Sequence, residues 1–321
     1  MDIKIKEIER ITREDLRCSE LKLNIKGKDV SYSLINTIRR LAIDHVPTYG
    51  FIDENIKIEK NTSIFNNDEM RLRIRQMTIP DIKIPIEYLE EKYWLDKEKH
   101  PEDNKIIEIY MDIKNNTLGK ENGTTNNMKI YIDGEEKNTY SKKYPHLIIQ
   151  LKPKQEFKMY AKASIGIGYV DNIWSAASNV YYEMINENEG ELVIKSQGQM
   201  DEYEILYKCC IILKNKMKEI KNIVNKEKKE IINNKLKIIL YNVDHTMTIL
   251  LNDIIQNNDK VSGCATKRPN LLKDEMHIDI ETFKENPLKV FNESIEKINK
   301  IMDNIKEQIM KLGKKYINYN K

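Results

Sequence analysis

Two long helical seams constrain this chain most, because each needs something to cover it. From Pro287 to about Tyr319, apolar residues recur in unbroken steps of three and four: Leu288, Phe291, Ile295, Ile298, Met302, Ile305, Ile309, Leu312, Tyr316 and Tyr319. The spacing places them on one narrow stripe of a helix about 30 residues long. Pro287 opens that helix at a position where a backbone N–H is dispensable. A small sheet is too short to bury such a stripe, so another helix must lie along it. Starting at Asp201, the residues Tyr203, Leu206, Cys210, Leu213, Met217, Ile220 and Val224 repeat the same steps. The two seams share a period and a polypeptide, and pairing them avoids the entropy lost in recruiting a second molecule. The sequence therefore predicts an intramolecular pair, with Leu206, Leu213, Met217 and Ile220 facing Leu288, Phe291, Ile295, Ile298, Met302 and Ile305. The competing reading is a coiled-coil structural or interaction protein that homodimerises through its last helix.

The remaining elements are shorter. Glu20 to Ile25 alternates polar and apolar residues, as a strand with one face on a core does. It leads into a helix from about Ser33 to His45, with Leu34, Ile38, Leu41 and Ala42 on one face and Pro47 as its stop. Between Pro47 and Pro153 short alternating segments are broken by Asn, Gly and Pro, which reads as a separate β-rich unit. Strands are then predicted over Met159 to Ile167, Asn179 to Met184 and Glu191 to Ile194. After the second long seam, Asn225 to Glu230 holds no apolar residue and is read as a boundary. Beyond it the order recurs: a strand at Leu236 to Tyr241, a helix at His245 to Gln256, strands around Val261 to Thr266 and His277 to Ile280, and the last helix. Sliding the sequence by 213 positions pairs Leu34 with Met247, Ile38 with Leu251, Leu41 with Ile254 and Ala42 with Ile255, which points to a duplicated architecture.

Composition narrows the function. The 321 residues carry 54 Lys and Arg against 51 Asp and Glu, a net charge of +3, so the molecule as a whole lacks the positive field of a protein that lives on nucleic acid. Lysines from Lys214 to Lys229 are interspersed with glutamates, which argues against a basic nucleic-acid module. No apolar run reaches the roughly 18 residues of a membrane span, and the charged start Met1 to Lys6 is unlike a signal peptide, so an intracellular protein is expected. The four cysteines, Cys18, Cys209, Cys210 and Cys264, have no CxxC spacing, and the five histidines show no paired spacing. No metal site and no cofactor are predicted. Cys209 and Cys210 lie in an apolar helical pattern and read as buried thiols. There is no Walker loop, no acidic triplet for Mg²⁺ and no nucleophile beside a base, so no catalytic residue is assigned. Asp279 and Glu281 share one strand face and read as its wet side.

The segment Ser33 to Ile43 followed by Val46-Pro47-Thr48 resembles the signature of the α-like subunits of multisubunit RNA polymerases, a helix with a small residue, Asn36, and the pair Arg39-Arg40, ending in Val-Pro. Lys60 to Ile64 with Asp68-Glu69-Met70, and Arg73 to Pro80, resemble a block of the third-largest subunit of eukaryotic RNA polymerase II and its archaeal counterpart. Gly166-Ile167-Gly168 with Trp174-Ser175 resembles the glycine loop of that subunit. Asp244 to Asn252 and Val261 to Ala265 with Arg268-Pro269 resemble the eleventh subunit. The likeness covers nearly the whole chain and is similar to an arrangement in polymerases of large DNA viruses. Two departures stand out: residues 47–158 hold no cysteine, where many third-subunit relatives carry a zinc loop, and Asp171 and Ile173 stand where the family often has His and Lys.

The resemblance implies an α+β fold in which two α-like dimerisation modules, each an antiparallel sheet with helices, are fused in tandem, the first interrupted by a β-rich inserted domain. The implied division is 1–46 and 159–224 for the first module, 47–158 for the insert, 225–235 for a linker and 236–321 for the second module. It implies a noncatalytic assembly platform of a DNA-dependent RNA polymerase, with the two largest subunits and small polymerase subunits as partners. Nucleic acid would be met only through the complex. Partner-binding residues expected from it are Arg39, Arg40, Asn36, Gly166, Gly168 and Trp174. A viral source would place the protein in the virion and host cytoplasm, a cellular one in the nucleus.

Overall fold

The computed structural model describes residues 2–13, 18–95, 101–102, 104–226, 230–270 and 272–316. Strands β1 (Lys4–Arg13) and β2 (Cys18–Lys26) form an antiparallel pair that leads into helix α1 (Tyr32–Asp44). After β3 (Thr48–Gly50) come β4 (Ile56–Asn61), the helices α2 (Asn67–Arg75) and α3 (Glu91–Leu95), and the strands β5 (Ile107–Lys114), β6 (Glu121–Thr124), β7 (Met128–Ile132), β8 (Glu135–Glu136), β9 (Leu147–Leu151), β10 (Glu156–Lys162) and β11 (Ser164–Gly166). The hairpin β12 (Ala177–Asn186) and β13 (Glu189–Ser196) then feeds α4 (Glu202–Lys226). The rest of the described chain is β14 (Glu230–Ile232), β15 (Lys235–Tyr241), α5 (His245–Gln256), β16 (Val261–Lys267), β17 (Glu275–Thr282) and α6 (Pro287–Leu312).

With the stretch between β3 and β11 set aside, both halves run strand, strand, helix, strand, strand, helix. Their sheets have the same internal order. The first is β1-β2-β13-β12 and the second β14-β15-β17-β16, so in each the fourth strand of the half pairs with the second and the third lies at the edge. The four residue pairs related by the 213-position shift in α1 and α5 are all buried.

The long helices α4 and α6 lie against each other. Leu206, Leu213, Met217 and Ile220 on one, and Phe291, Ile295, Ile298, Met302 and Ile305 on the other, are buried, with Leu288 half-buried at the rim. Two ion pairs flank the seam, Lys214 to Asp303 at 2.6 Å and Lys221 to Glu296 at 3.0 Å. A step of seven forward along α4 matches seven backward along α6, so the helices are antiparallel with a heptad-like repeat. Helices α1 and α5 complete the layer, each touching the other and one long helix. The two halves also interlock: α4 touches β15, and α6 touches β1, where Gln308 accepts from the Ile5 backbone N–H at 2.9 Å and donates to the Ile3 carbonyl at 2.8 Å.

Several boundaries differ from the sequence reading. The last helix ends at Leu312, and Gly313 to Tyr316 form a turn. Leu312 and Tyr316 leave the seam and are partly exposed, and Tyr316 lays its ring over the Arg10 guanidinium at 3.6 Å. Tyr319 lies outside the described residues. Met159 to Ile167 is two strands, because Ala163 ends β10 by donating its N–H to Ile107 before β11 begins. Strand β10 pairs with β4 and β5, so the sheet of the β-rich unit continues past residue 158: Phe157, Met159 and Ala161 all point into its core. β3 and β11 pair as a neck beneath that unit. Within 225–235, read as a linker, α4 runs to Lys226 and β14 joins the second sheet through Ile231 opposite Leu236.

Deleting buried methylenes from a seam without room to collapse costs about 2–5 kcal/mol. Ile298→Ala should lower unfolding stability by that amount in urea titration. A loss under about 1 kcal/mol would show that the seam is not tightly packed.

Candidate subunit interface

The exposed edge of α1 is set by its own amphipathicity. Ser31 caps the helix by accepting from the Leu34 N–H, and Leu34, Ile35, Ile38, Leu41 and Ala42 turn inward. Asn36, Arg39, Arg40 and Ile43 are left half-buried on the other side. Arg39 Nε donates to Asn36 Oδ1 at 3.0 Å, one helical turn back, and forms no ion pair among the described residues. Arg40 turns inside the chain. It lies 3.6 Å from Asp44 and 3.6 Å from Asp244, the residue that caps α5 by accepting from the Thr246 N–H at 3.1 Å. Its Nη1 is 3.2 Å from His245 Nε2, and His245 Nδ1 lies 2.7 Å from Asp244. Ser33 donates to Asp253 farther along. Thus α1 and α5 run antiparallel with a polar contact near each end, and Arg40, expected as a contact for an outside partner, joins the two halves.

Burial pushes the Asp44 carboxyl up, and Arg40 only partly offsets it. Asp244 is pushed up by burial too, but the Thr246 N–H, Arg40 and His245 hold its carboxyl below the ordinary range.

The glycine loop packs onto the end of α1. A Cβ on Gly168 would sit 2.3 Å from the Ile43 carbonyl oxygen, and one on Gly166 would sit 2.3 Å from the Trp174 ring. Both positions need the bare backbone. Trp174 is 5% exposed and donates Nε1–H to the Ser164 carbonyl at 2.9 Å. Expected as a partner-binding residue, Trp174 lies with its indole on the neck strand, which supplies an apolar bed. Asp171 caps the turn before Trp174 and pairs with Arg75 at 2.7 Å, while Ile173 is buried.

Sequence reasoning missed what this loop presents. Tyr169 is 56% exposed, and Val170 beside it is exposed as well. The Tyr169 N–H donates to the Asp44 carbonyl at 2.7 Å, and its ring stacks on His45 with centroids 5.6 Å apart and meets Trp94 edge-on at 5.9 Å. His45 is 8% exposed and its Nε2 has no hydrogen-bond partner among the described residues. Burial, aided by the nearby Lys216 cation, pushes its pKa down to about 3. No spacing in the sequence marks a histidine stacked on a residue more than a hundred positions away.

Two buried charges serve the fold. Lys208 on α4 is 2% exposed and donates to the Ile84 and Ile86 carbonyls at 2.9 and 3.1 Å, with Glu204 3.7 Å away. It ties down an extended segment whose Ile82, Ile84 and Ile86 alternate inward, and burial lowers its pKa. Glu202 is fully buried, accepts from Ser19 and from the Ser196 N–H, and is pushed up by burial. The Cys209 and Cys210 thiols are buried and pushed up, the latter to about 12. A cleft of about 1100 Å³ opens where the first sheet, Pro80 to Lys83 and the β-rich unit meet. Its carboxylates are Asp81, Asp133, Glu135, Asp201 and Glu204, of which Asp201 pairs with Arg10 and Glu204 lies 3.7 Å from Lys208. Among the described residues no helix is long and apolar enough to cross a membrane.

Comparison with known proteins finds a family match in the second half of the chain and two relatives. Residues 235–308, the span from β15 through most of α6, match the sequence model of the RNA polymerase Rpb3/Rpb11 dimerisation domain. A protein of Acanthamoeba polyphaga mimivirus named "Putative DNA directed RNA polymerase subunit R470" is 26% identical over 345 aligned positions, covering 97% of this chain and 94% of that protein. The DNA-directed RNA polymerase subunit Rpo3 of Methanocaldococcus jannaschii is 29% identical over 187 positions, 57% of this chain and 81% of that subunit. The chain thus carries an Rpb3/Rpb11 dimerisation domain and is, over nearly its whole length, a homologue of the mimivirus polymerase subunit.

A histidine whose folded pKa lies below its unfolded value of about 6.5 stays neutral in the fold while the unfolded chain takes up a proton. Stability is therefore full above that value and falls with pH toward about 3. Relative to His45→Gln, the wild-type chain should lose up to about 1.4 kcal/mol per pH unit between pH 6 and pH 4 in denaturant titrations. Parallel curves for the two proteins would contradict the buried, neutral assignment.

Proposed function

We propose that this chain is a noncatalytic assembly platform of a DNA-dependent RNA polymerase, in which two α-like halves pair within one polypeptide and dock the two large catalytic subunits and small polymerase subunits. The observation that carries the reading is the repeated element order with the same strand order in both sheets, joined to the dimerisation-domain match in the second half. The proposed halves are 1–46 with 159–224, and 236–321, with residues 47–158 and the continuation of β10 as the insert and 225–235 as the tether. Relatives named as polymerase subunits favour the polymerase setting, and the mimivirus protein favours a virion and host-cytoplasm location.

Tethering explains why fusion would be useful. It replaces a bimolecular encounter with an intramolecular one at an effective concentration around millimolar for a short connection. The platform then forms without regard to protein level, and the large subunits meet a preformed surface. That surface includes the α1 edge and the glycine loop. Gly166, Gly168 and Trp174 act in it by shaping the loop, and Asn36 by orienting Arg39.

The test separates Arg39 from Arg40. Reversing Arg40 would set a carboxylate against Asp44 and Asp244 and loosen α1 from α5, so its loss reports on the fold. Arg39→Glu gives up the hydrogen bond to Asn36 and leaves the Arg40 contacts with Asp44 and Asp244 in place. With this variant, tagged chain isolated from the native source should retain a wild-type melting curve yet recover the large subunits at a tenth or less of the wild-type yield, as expected when a buried charge pair worth about 2–5 kcal/mol is lost. Wild-type recovery of the complex would remove Arg39 from the interface.

A further inference from the structure

We propose that the cleft between the first sheet and the β-rich unit binds single-stranded nucleic acid directly, gripping the phosphodiester backbone with lysines from both of its sides. The inference goes beyond the platform reading, in which nucleic acid is met only through the complex, and does not depend on it.

The argument starts from where the positive charge lies. The chain as a whole is almost neutral, yet the cleft of about 1100 Å³ gathers lysines from separate stretches onto one concave surface. Lys83 comes from the extended segment tied to α4, Lys105 from the approach to β5, Lys137 and Lys143 from the connection between β8 and β9, and Lys315 from the turn after α6. Among the described residues none of these lysines forms an ion pair. The same walls carry carboxylates, but Asp201 is held by Arg10, Glu204 lies 3.7 Å from Lys208, and Asp133 turns an oxygen to the Ile106 N–H at 2.9 Å. Lysines without an ion pair therefore outnumber the carboxylates left without one, Asp81, Asp133 and Glu135, and a concave wall of low dielectric focuses their field on an anion inside.

The chemistry of the walls chooses among anions. Lysine is a point charge on a flexible stem, suited to tracking successive phosphates, whereas an acidic or phosphorylated peptide is best held by the planar forks of clustered arginines. Asp81, Asp133 and Glu135 repel the side chains of an acidic peptide, but they accept hydrogen bonds from the exocyclic amino groups of bases and from ribose hydroxyls, the neutral donors that alternate with phosphates along a strand. Tyr144, half-buried in the same wall with the Lys143 ammonium 5.0 Å from its ring centre, adds aromatic surface of the kind on which bases stack. The volume suits about four unpaired nucleotides, the lower end of single-strand sites, and leaves no room for a duplex.

The test is fluorescence anisotropy of the full chain with a labelled oligo-uridine. The logarithm of the affinity should fall against the logarithm of salt concentration with a slope of about −3, as expected when about four phosphates of a single strand are met. The triple variant Lys105→Gln, Lys137→Gln, Lys143→Gln should weaken binding about tenfold or more and bring the slope to about −1. A control triple on the exposed sheet surface of the β-rich unit, Lys57→Gln, Lys114→Gln, Lys162→Gln, should bind as wild type, and both variants should melt as wild type. Absence of binding, equal weakening by the two triples, or equally tight binding of a duplex overturns the inference. Displacement of the probe by poly-glutamate as effectively as by unlabelled oligo-uridine overturns it in favour of an acidic peptide.

Discussion

One apolar seam holds the molecule in its shape. The stripes of α4 and α6 are each too long for the sheet of their own half, and each finds its cover in the other half. Everything with functional promise depends on that contact. It brings the two sheets to the outside of a shared helical layer and sets α1 against α5, so that Arg40 can reach Asp244 and His245. The ion pairs Lys214 to Asp303 and Lys221 to Glu296 are partly solvated and contribute little energy, but their common seven-residue step fixes direction and register.

The elements readable from sequence were those whose local chemistry and tertiary role coincide. Helix α5 has the expected bounds, His245 to Gln256, because Asp244 caps it and its apolar face is dense. The long helices were legible because their period is strict. Strand β1 was not: Ile5, Ile8 and Ile11 recur every three residues, a spacing that does not suit a strand, and only the register shift between Glu7 and Glu9 reconciles it with pairing to β2. β14 was hidden in a charged stretch, since two isoleucines at a sheet edge leave no pattern to read.

The candidate interface was half legible. The resemblance pointed to the α1 arginines and the glycine loop, and the geometry divides the work among them. Arg40 is engaged within the chain, Trp174 is buried, and the glycines are spaces for Ile43 and that indole. What faces outward is Tyr169, made visible only by the stacking of a buried histidine from the end of α1. Lys208 escaped notice for a similar reason. An ammonium buried against two carbonyls of an extended segment leaves no trace in a helical wheel.

The central claim is that the two seams meet within a single polypeptide, and zero-length carbodiimide cross-linking of an equal mixture of isotopically heavy and light chains tests it most directly. The account predicts Lys214 joined to Asp303 and Lys221 to Glu296 in peptides that are wholly light or wholly heavy. Mixed light and heavy cross-links at those same positions would contradict it.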